Sequence, residues 1–269
     1  MEDRIQVTIT NGVADVRMVR VDKMNALDDA MFQALIDTGE RLKTEPSVRA
    51  IVLSGDGRGF CAGLDMGNFA KMAEGPRKAS AGDVLLNPKR TQGGSNRAQH
   101  AVMVWREQTV PVIAAIHGVA LGGGFQLALG ADMRFVTPDA KMAVLEIKWG
   151  LIPDMAGLVL MKRLVRDDVA RELTYTGRVF TGEEALKLGF ATRVCGDPRA
   201  EALALATEIA SKNPAAIRAG KRLLDMAHDA DPHTILLLES KEQGALIGSP
   251  NQIEAVMSNM QKRTAVYAD

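Results

Sequence analysis

Three consecutive glycines, Gly122, Gly123 and Gly124, stand between an apolar, β-like run (residues 110–116) and a stretch of helical spacing that begins near Phe125. Glycine loses more backbone freedom on folding than any other residue and has no side chain to bury, so a triplet inside a folded core needs a reason. One reason is close packing at a strand–turn–helix corner. Another is chemical: bare backbone at a helix start lets unpaired N–H groups approach a ligand oxygen, and the helix dipole favours negative charge there. The chemical reason suits an oxyanion hole, which calls for a second donor from elsewhere in the chain.

A source for that donor is the run Gly57-Arg58-Gly59-Phe60-Cys61-Ala62-Gly63-Leu64-Asp65, which follows an apolar segment (residues 50–53) and the turn-like Ser54-Gly55-Asp56. A strand ending in such a loop sets peptide N–H groups, notably that of Ala62, at a sheet edge, where loops commonly carry function. Further on, Leu145-Glu146-Ile147-Lys148-Trp149-Gly150-Leu151-Ile152-Pro153-Asp154 offers two carboxylates. Gly150 and Pro153 interrupt any helix there, so Glu146 and Asp154 project from a bent segment and can face a common cleft.

Taken together, the Phe-Cys-Ala-Gly-Leu-Asp run, the Leu-Gly-Gly-Gly run and residues 146–157 match the crotonase superfamily, or enoyl-CoA hydratase/isomerase family, in order and approximate spacing. The chain resembles that family over nearly its whole length. The resemblance implies an α/β fold with a spiral ββα core (residues 1–197) and a C-terminal helical region (residues 198–269) that builds trimers, often paired into hexamers. It also implies an acyl-CoA thioester substrate, with CoA part of the substrate and no separate cofactor. The peptide N–H groups of Ala62 and Gly123 match the family's oxyanion-hole donors, and Glu146 matches its catalytic glutamate. Lys23, Ala62, Leu64 and Asp65 would lie along the CoA moiety, and Lys262 matches a lysine that reaches a CoA phosphate from a neighbouring subunit.

Two positions depart from the hydratase pattern. Gln126 occupies the place of the hydratases' other glutamate; an amide orients water but cannot accept or return a proton. Asp154 falls where many hydratases have glycine, and the Glu146-to-Asp154 spacing resembles that of dienoyl-CoA isomerases and 3-hydroxyisobutyryl-CoA hydrolases. Moving a double bond requires one proton removed and another delivered, which a carboxylate pair with separated pKa values can do. Double-bond isomerisation is therefore the favoured reading. The alternatives are hydration on Glu146 with Gln126 holding water, thioester hydrolysis by Glu146 and Asp154, and acyl-CoA binding without catalysis.

Composition narrows the field from the other side. The chain has 46% apolar and 25% charged residues, an ordinary globular balance. Its 33 basic and 33 acidic residues cancel, which leaves no overall electrostatic footprint for nucleic acid. Cys61 and Cys195 are the only cysteines, too few for a disulfide framework or a structural zinc site, and no metal is expected. Cys61 reads as a small buried hydrophobe. No apolar run approaches the ~20 residues that span a bilayer, and Met-Glu-Asp-Arg is not a signal segment, so a cytoplasmic protein is expected.

In chain order, Asn11-Gly12 between two alternating runs predicts a hairpin, and Asp28 is a candidate N-cap for a helix to about Lys43. Residues 67–96, rich in Gly, Pro and Asn, make a poor core and are expected to wall the substrate site. From Met155 onward the pattern is mainly helical: residues 155–164, 167–175, 181–188 behind a Thr181-to-Glu184 capping box, 198–211, 214–228, 232–247 and 250–266. Such a tail, with little room in the main core, points to oligomer contact.

Overall fold

The computed structural model describes residues 4–67 and 90–269; the greater part of the expected substrate wall lies outside the described residues. The described strands and helices, in chain order, are β1 (Ile5–Thr10), β2 (Val13–Met18), α1 (Asp29–Lys43), β3 (Ala50–Gly55), α2 (Arg97–Arg106), β4 (Val112–Ile116), β5 (Val119–Leu121), α3 (Gly123–Leu129), β6 (Met133–Val136), β7 (Lys141–Ala143), α4 (Gly157–Met161), α5 (Asp167–Thr176), α6 (Gly182–Leu188), β8 (Arg193–Val194), α7 (Pro198–Ala210), α8 (Pro214–Ala227), α9 (Pro232–Leu246) and α10 (Pro250–Met260). Six strands form the main sheet in the order β1-β2-β3-β4-β6-β8. The β1–β2 hairpin is antiparallel and turns at Asn11 and Gly12, both at positive φ, while every later pairing in this sheet is parallel.

Side chains alternate across a strand, so the main sheet has two buried faces. One carries Ala14, Val16, Ile51, Leu53, Val112, Ala114 and Val136, and packs with Met31 and Leu35 of α1, Trp105 of α2 and Phe125 of α3. The other carries Val13, Ala50, Val52, Ile113, Ala115 and Phe135 and is covered by Ala202, Ala206 and Ala210 of α7. Small residues on α7 let its backbone approach the sheet. This helix is thus part of the core packing, and the expected division at residue 197 separates α7 from the sheet it covers; the helices without such a seat begin at α8.

A second, smaller sheet has two strands. β5 pairs in parallel with β7, and single bridges join Leu27 to Leu64, Cys61 to Ala120 and Met142 to Phe180. Through these bridges, the loop after β3, the strand before the glycine triplet and the segment leading to Glu146 become neighbours. Phe125 sits edge-on to both Phe180 and Phe190, centroids 5.6 and 5.2 Å away, and ties α3 to the segments that carry those rings.

Four helical caps follow the sequence signals; of the expected Thr181-to-Glu184 box, the half in which Thr181 accepts is formed, while the Glu184 carboxylate pairs with Arg178. Asp28 accepts from Met31 N, Thr181 from Glu184 N, Asn213 from Ala215 N and Ser249 from Gln252 N. Two expected helices are shorter than their pattern. The 155–164 stretch is helical over Gly157–Met161, because Ala156 takes a left-handed φ of 66° just before it, and the last helix ends at Met260 rather than continuing to Val266.

Candidate active site

The loop after β3 is held from one side by an N-terminal segment. Buried Asn25 donates through Nδ2 to the carbonyls of Asp56 and Gly59, 3.0 Å each. The Ala62 N–H donates to Met24 O at 2.9 Å. That amide is spent on the fold, which corrects the expectation that Ala62 supplies an oxyanion-hole donor. Two residues on, Leu27 N donates to Gly63 O (2.8 Å) and Asp65 N to Leu27 O (3.0 Å). In a parallel bridge of this kind the central residue's own N–H points the other way, so the Leu64 amide faces away from Leu27. Among the described residues it has no hydrogen-bond partner.

On that far side runs the glycine triplet. A Cβ placed on Gly63 would lie 2.5 Å from Leu121 O and 3.6 Å from Gly123 N. The Gly123 N–H, at the first turn of α3, is likewise without a partner among the described residues. Two unpaired amides, Leu64 and Gly123, therefore lie next to each other across the Gly63 backbone. The glycines make this possible. Gly122 adopts φ 51° and ψ −120°, a conformation closed to other residues, and a Cβ on Gly124 would stand 2.3 Å from Cys61 O.

Glu146 reaches the same place. Glu146 opens a short 3-10 turn (Glu146–Trp149) that ends in left-handed Gly150. Its Oε1 lies 3.3 Å from the point where a Gly122 Cβ would be. Oε1 accepts a 2.6 Å bond from Gln126 Nε2, and Oε2 is buried without a hydrogen-bond partner among the described residues. Burial pushes the Glu146 pKa up, the negative charge of Asp154 adds to this, and bonds from its own backbone and from Gln126 oppose it. Asp154 keeps solvent access in the single chain, yet the protein packed around its carboxyl raises its pKa as well.

Gln126 is 1% exposed. Its Oε1 accepts from Met155 N (2.8 Å) and Gly157 N (2.9 Å), so the expected role of holding water has no acceptor left to use. Asp65, expected beside CoA, is committed to the fold in the same way: Gly67 N donates to Oδ1 (2.8 Å) and Arg20 Nη1 to Oδ2 (2.6 Å). Those contacts, the Gly67 amide foremost, hold its carboxyl below the ordinary range. Lys23 is exposed on the turn preceding Met24, and Lys262 is exposed beyond α10; among the described residues neither forms an ion pair. Cys61 is buried with its thiol pushed up to about 12 by burial, as fits a packing residue. What the residue pattern missed is the Leu64 amide. The only sign of it is the bridge to Leu27, which no spacing rule reveals.

The chain is similar to known proteins over nearly its whole length. The family model described as enoyl-CoA hydratase/isomerase matches residues 8–269. The chain is 30% identical to the mitochondrial delta(3,5)-delta(2,4)-dienoyl-CoA isomerase of Mus musculus, over 97% of this chain and 80% of that protein. It is 29% identical to the mitochondrial methylglutaconyl-CoA hydratase of the same organism, over 95% and 79%. The crystal structure of an enoyl-CoA hydratase from Mycobacterium smegmatis superposes with a TM-score of 0.85 at 28% identity, covering 98% of this chain and 99% of that one.

Proposed function

Since this chain belongs to the enoyl-CoA hydratase/isomerase family and has its crotonase fold, we propose that it shifts a carbon–carbon double bond in an acyl-CoA thioester. In this reading the thioester carbonyl oxygen sits between the Leu64 and Gly123 amides. It gains negative charge as a proton leaves a carbon conjugated with it, and paired N–H donors stabilise an oxygen most when that charge develops. One of Glu146 and Asp154 removes the proton and the other returns one to a different carbon of the chain, so that the double bond moves and the atom count is unchanged.

The observation that carries this reading is the Glu146 carboxyl, with Oε1 beside the glycine triplet, Oε2 buried and unpartnered among the described residues, and a second carboxyl near enough to raise its pKa. Two raised carboxyls give one group able to hold a proton while the other accepts one. Hydration on two exchanging groups lacks its second member at Gln126, whose carbonyl is occupied. Lys23 and Lys262 are the cations proposed for the CoA phosphates, Lys262 from a neighbouring subunit.

The reading extends to assembly. α8, α9 and α10 expose Leu224, Leu236, Leu237, Ile253, Met257 and Met260, apolar side chains that suit burial against other copies. A trimer, alone or paired into a hexamer, is proposed on that basis.

The test is a panel of 2-enoyl-, 3-enoyl-, 3,5-dienoyl- and 3-hydroxyacyl-CoA thioesters, followed by absorbance and free thiol. Isomerisation appears as absorbance change on 3-enoyl or dienoyl thioesters with no thiol released. Water addition to 2-enoyl thioesters, thiol release, or no turnover at all would each contradict the proposal and point respectively to a hydratase, a hydrolase or a binding protein.

A further inference from the structure

The amide of Gln126 has only one workable orientation. Met155 N and Gly157 N both donate to its oxygen; turned over, its NH2 group would face two N–H donors in a buried site, leaving all of them unsatisfied. With the oxygen so fixed, Nε2 must donate, and its partner is Glu146 Oε1 at 2.6 Å. An oxygen that accepts from an amide N–H at that distance is not the one that carries the carboxyl's proton. Whenever Glu146 is protonated, the proton is on Oε2. That atom is buried and meets no hydrogen-bond partner among the described residues.

We infer that Gln126 is a positioning residue that confines proton exchange by Glu146 to Oε2, so that Glu146 trades its proton with the bound acyl chain and not with a neighbouring side chain. This deepens the proposed function and rests on it for the identity of the exchange partner. The same amide fixes the turn that carries Asp154, because Met155 directly follows Asp154 and Gly157 opens α4. A Cβ on Gly157 would lie 2.7 Å from Gln126 Oε1, so the turn and the amide fit each other closely. Around Glu146, the groups that bear on its charge are Asp154 from the following bend, the neutral Gln126 from α3, and the backbone N–H groups of Leu145 and Glu146. Lys148, on the same turn as Glu146, is held over the Trp149 ring, 5.4 Å from its centroid.

The experiment titrates Glu146 directly in the full chain without substrate, by carboxyl 13C NMR of glutamate-labelled protein, with the signal assigned by its loss in Glu146→Gln. Gln126→Leu removes the donor to Oε1 and should move the Glu146 midpoint upward. Gln126→Glu keeps an acceptor for Met155 N and Gly157 N but sets two carboxyls 2.6 Å apart, which must share a proton and titrate in two steps, the upper about one pH unit or more above the wild-type midpoint. With a thioester that wild type turns over, both variants should lose at least about tenfold in kcat with KM within about threefold, the pattern of an interaction that matters in the transition state. An unchanged Glu146 midpoint in folded Gln126→Leu, or a single unshifted step in Gln126→Glu, overturns the inference. So does a fall in stability with kcat and pH profile intact. The titration uses no substrate, so a wild type that turns over none of the thioesters refutes the proposed function separately.

Discussion

At the scale of single residues, the proposed chemistry depends on which peptide N–H groups are left free. Gly123→Pro removes the N–H from the proposed hole at a helix position where proline is tolerated, but its ring needs room, since a Cβ at Gly123 already meets Met155 Sδ at 2.8 Å. In a Met155→Ala background, Gly123→Pro should therefore lower kcat/KM by about 10²- to 10³-fold relative to Met155→Ala alone, without changing the oligomer measured by light scattering. Glu146 supplies a stability prediction of opposite sense. Its pKa is raised in the folded state, so the folded protein binds this proton more tightly than the unfolded chain, and stability falls as pH climbs from the unfolded pKa through the folded one. Glu146→Gln removes that penalty. The melting temperature of the variant relative to wild type should be higher at pH 8 than at pH 4; a difference independent of pH would contradict the burial of this charge.

At the scale of elements, the hairpin and most helices were legible in the sequence because their signals are local: Asn11-Gly12 provides two positive-φ residues for the turn, and Asp28, Asn213 and Ser249 each cap the helix they precede. β5 and β7, three residues each, are too short for an alternation to register, and yet they bring Gly122 within reach of Glu146. Gly123, Glu146 and Asp154 could be found as residues, because glycines and acids in a broken helix are visible in letters. The proposed exchange of Ala62 for Leu64 could not, since the partner that consumes the Ala62 amide, Met24, is remote in sequence and its own left-handed φ of 47° has no signature. α7 reads as one helix of a tail, but its alanines meet Val52 and Ile113. Ala206→Leu should accordingly cost about 1–3 kcal/mol by overpacking in urea unfolding, whereas Gly220→Leu at an open position on α8 should cost far less; equal effects would contradict the seating of α7 in the core.

At the scale of the whole molecule, the exposed apolar residues of α8 to α10 and the solvent access of Asp154 are features of one chain taken alone. Leu236 is 62% and Leu237 58% exposed, on a helix with no buried residue of its own. Light scattering should give three or six times the 28.9 kDa chain mass, and Leu236→Glu with Leu237→Glu should reduce it; a wild-type monomer would contradict the assembly. The most direct test of the central claim is a crystal structure of that assembly with a slowly reacting acyl-CoA thioester bound. The account predicts the thioester oxygen about 2.7–3.1 Å from both Leu64 N and Gly123 N, with Glu146 Oε2 turned toward the acyl chain and Ala62 N still on Met24 O. A thioester oxygen held by any other pair of donors would contradict it.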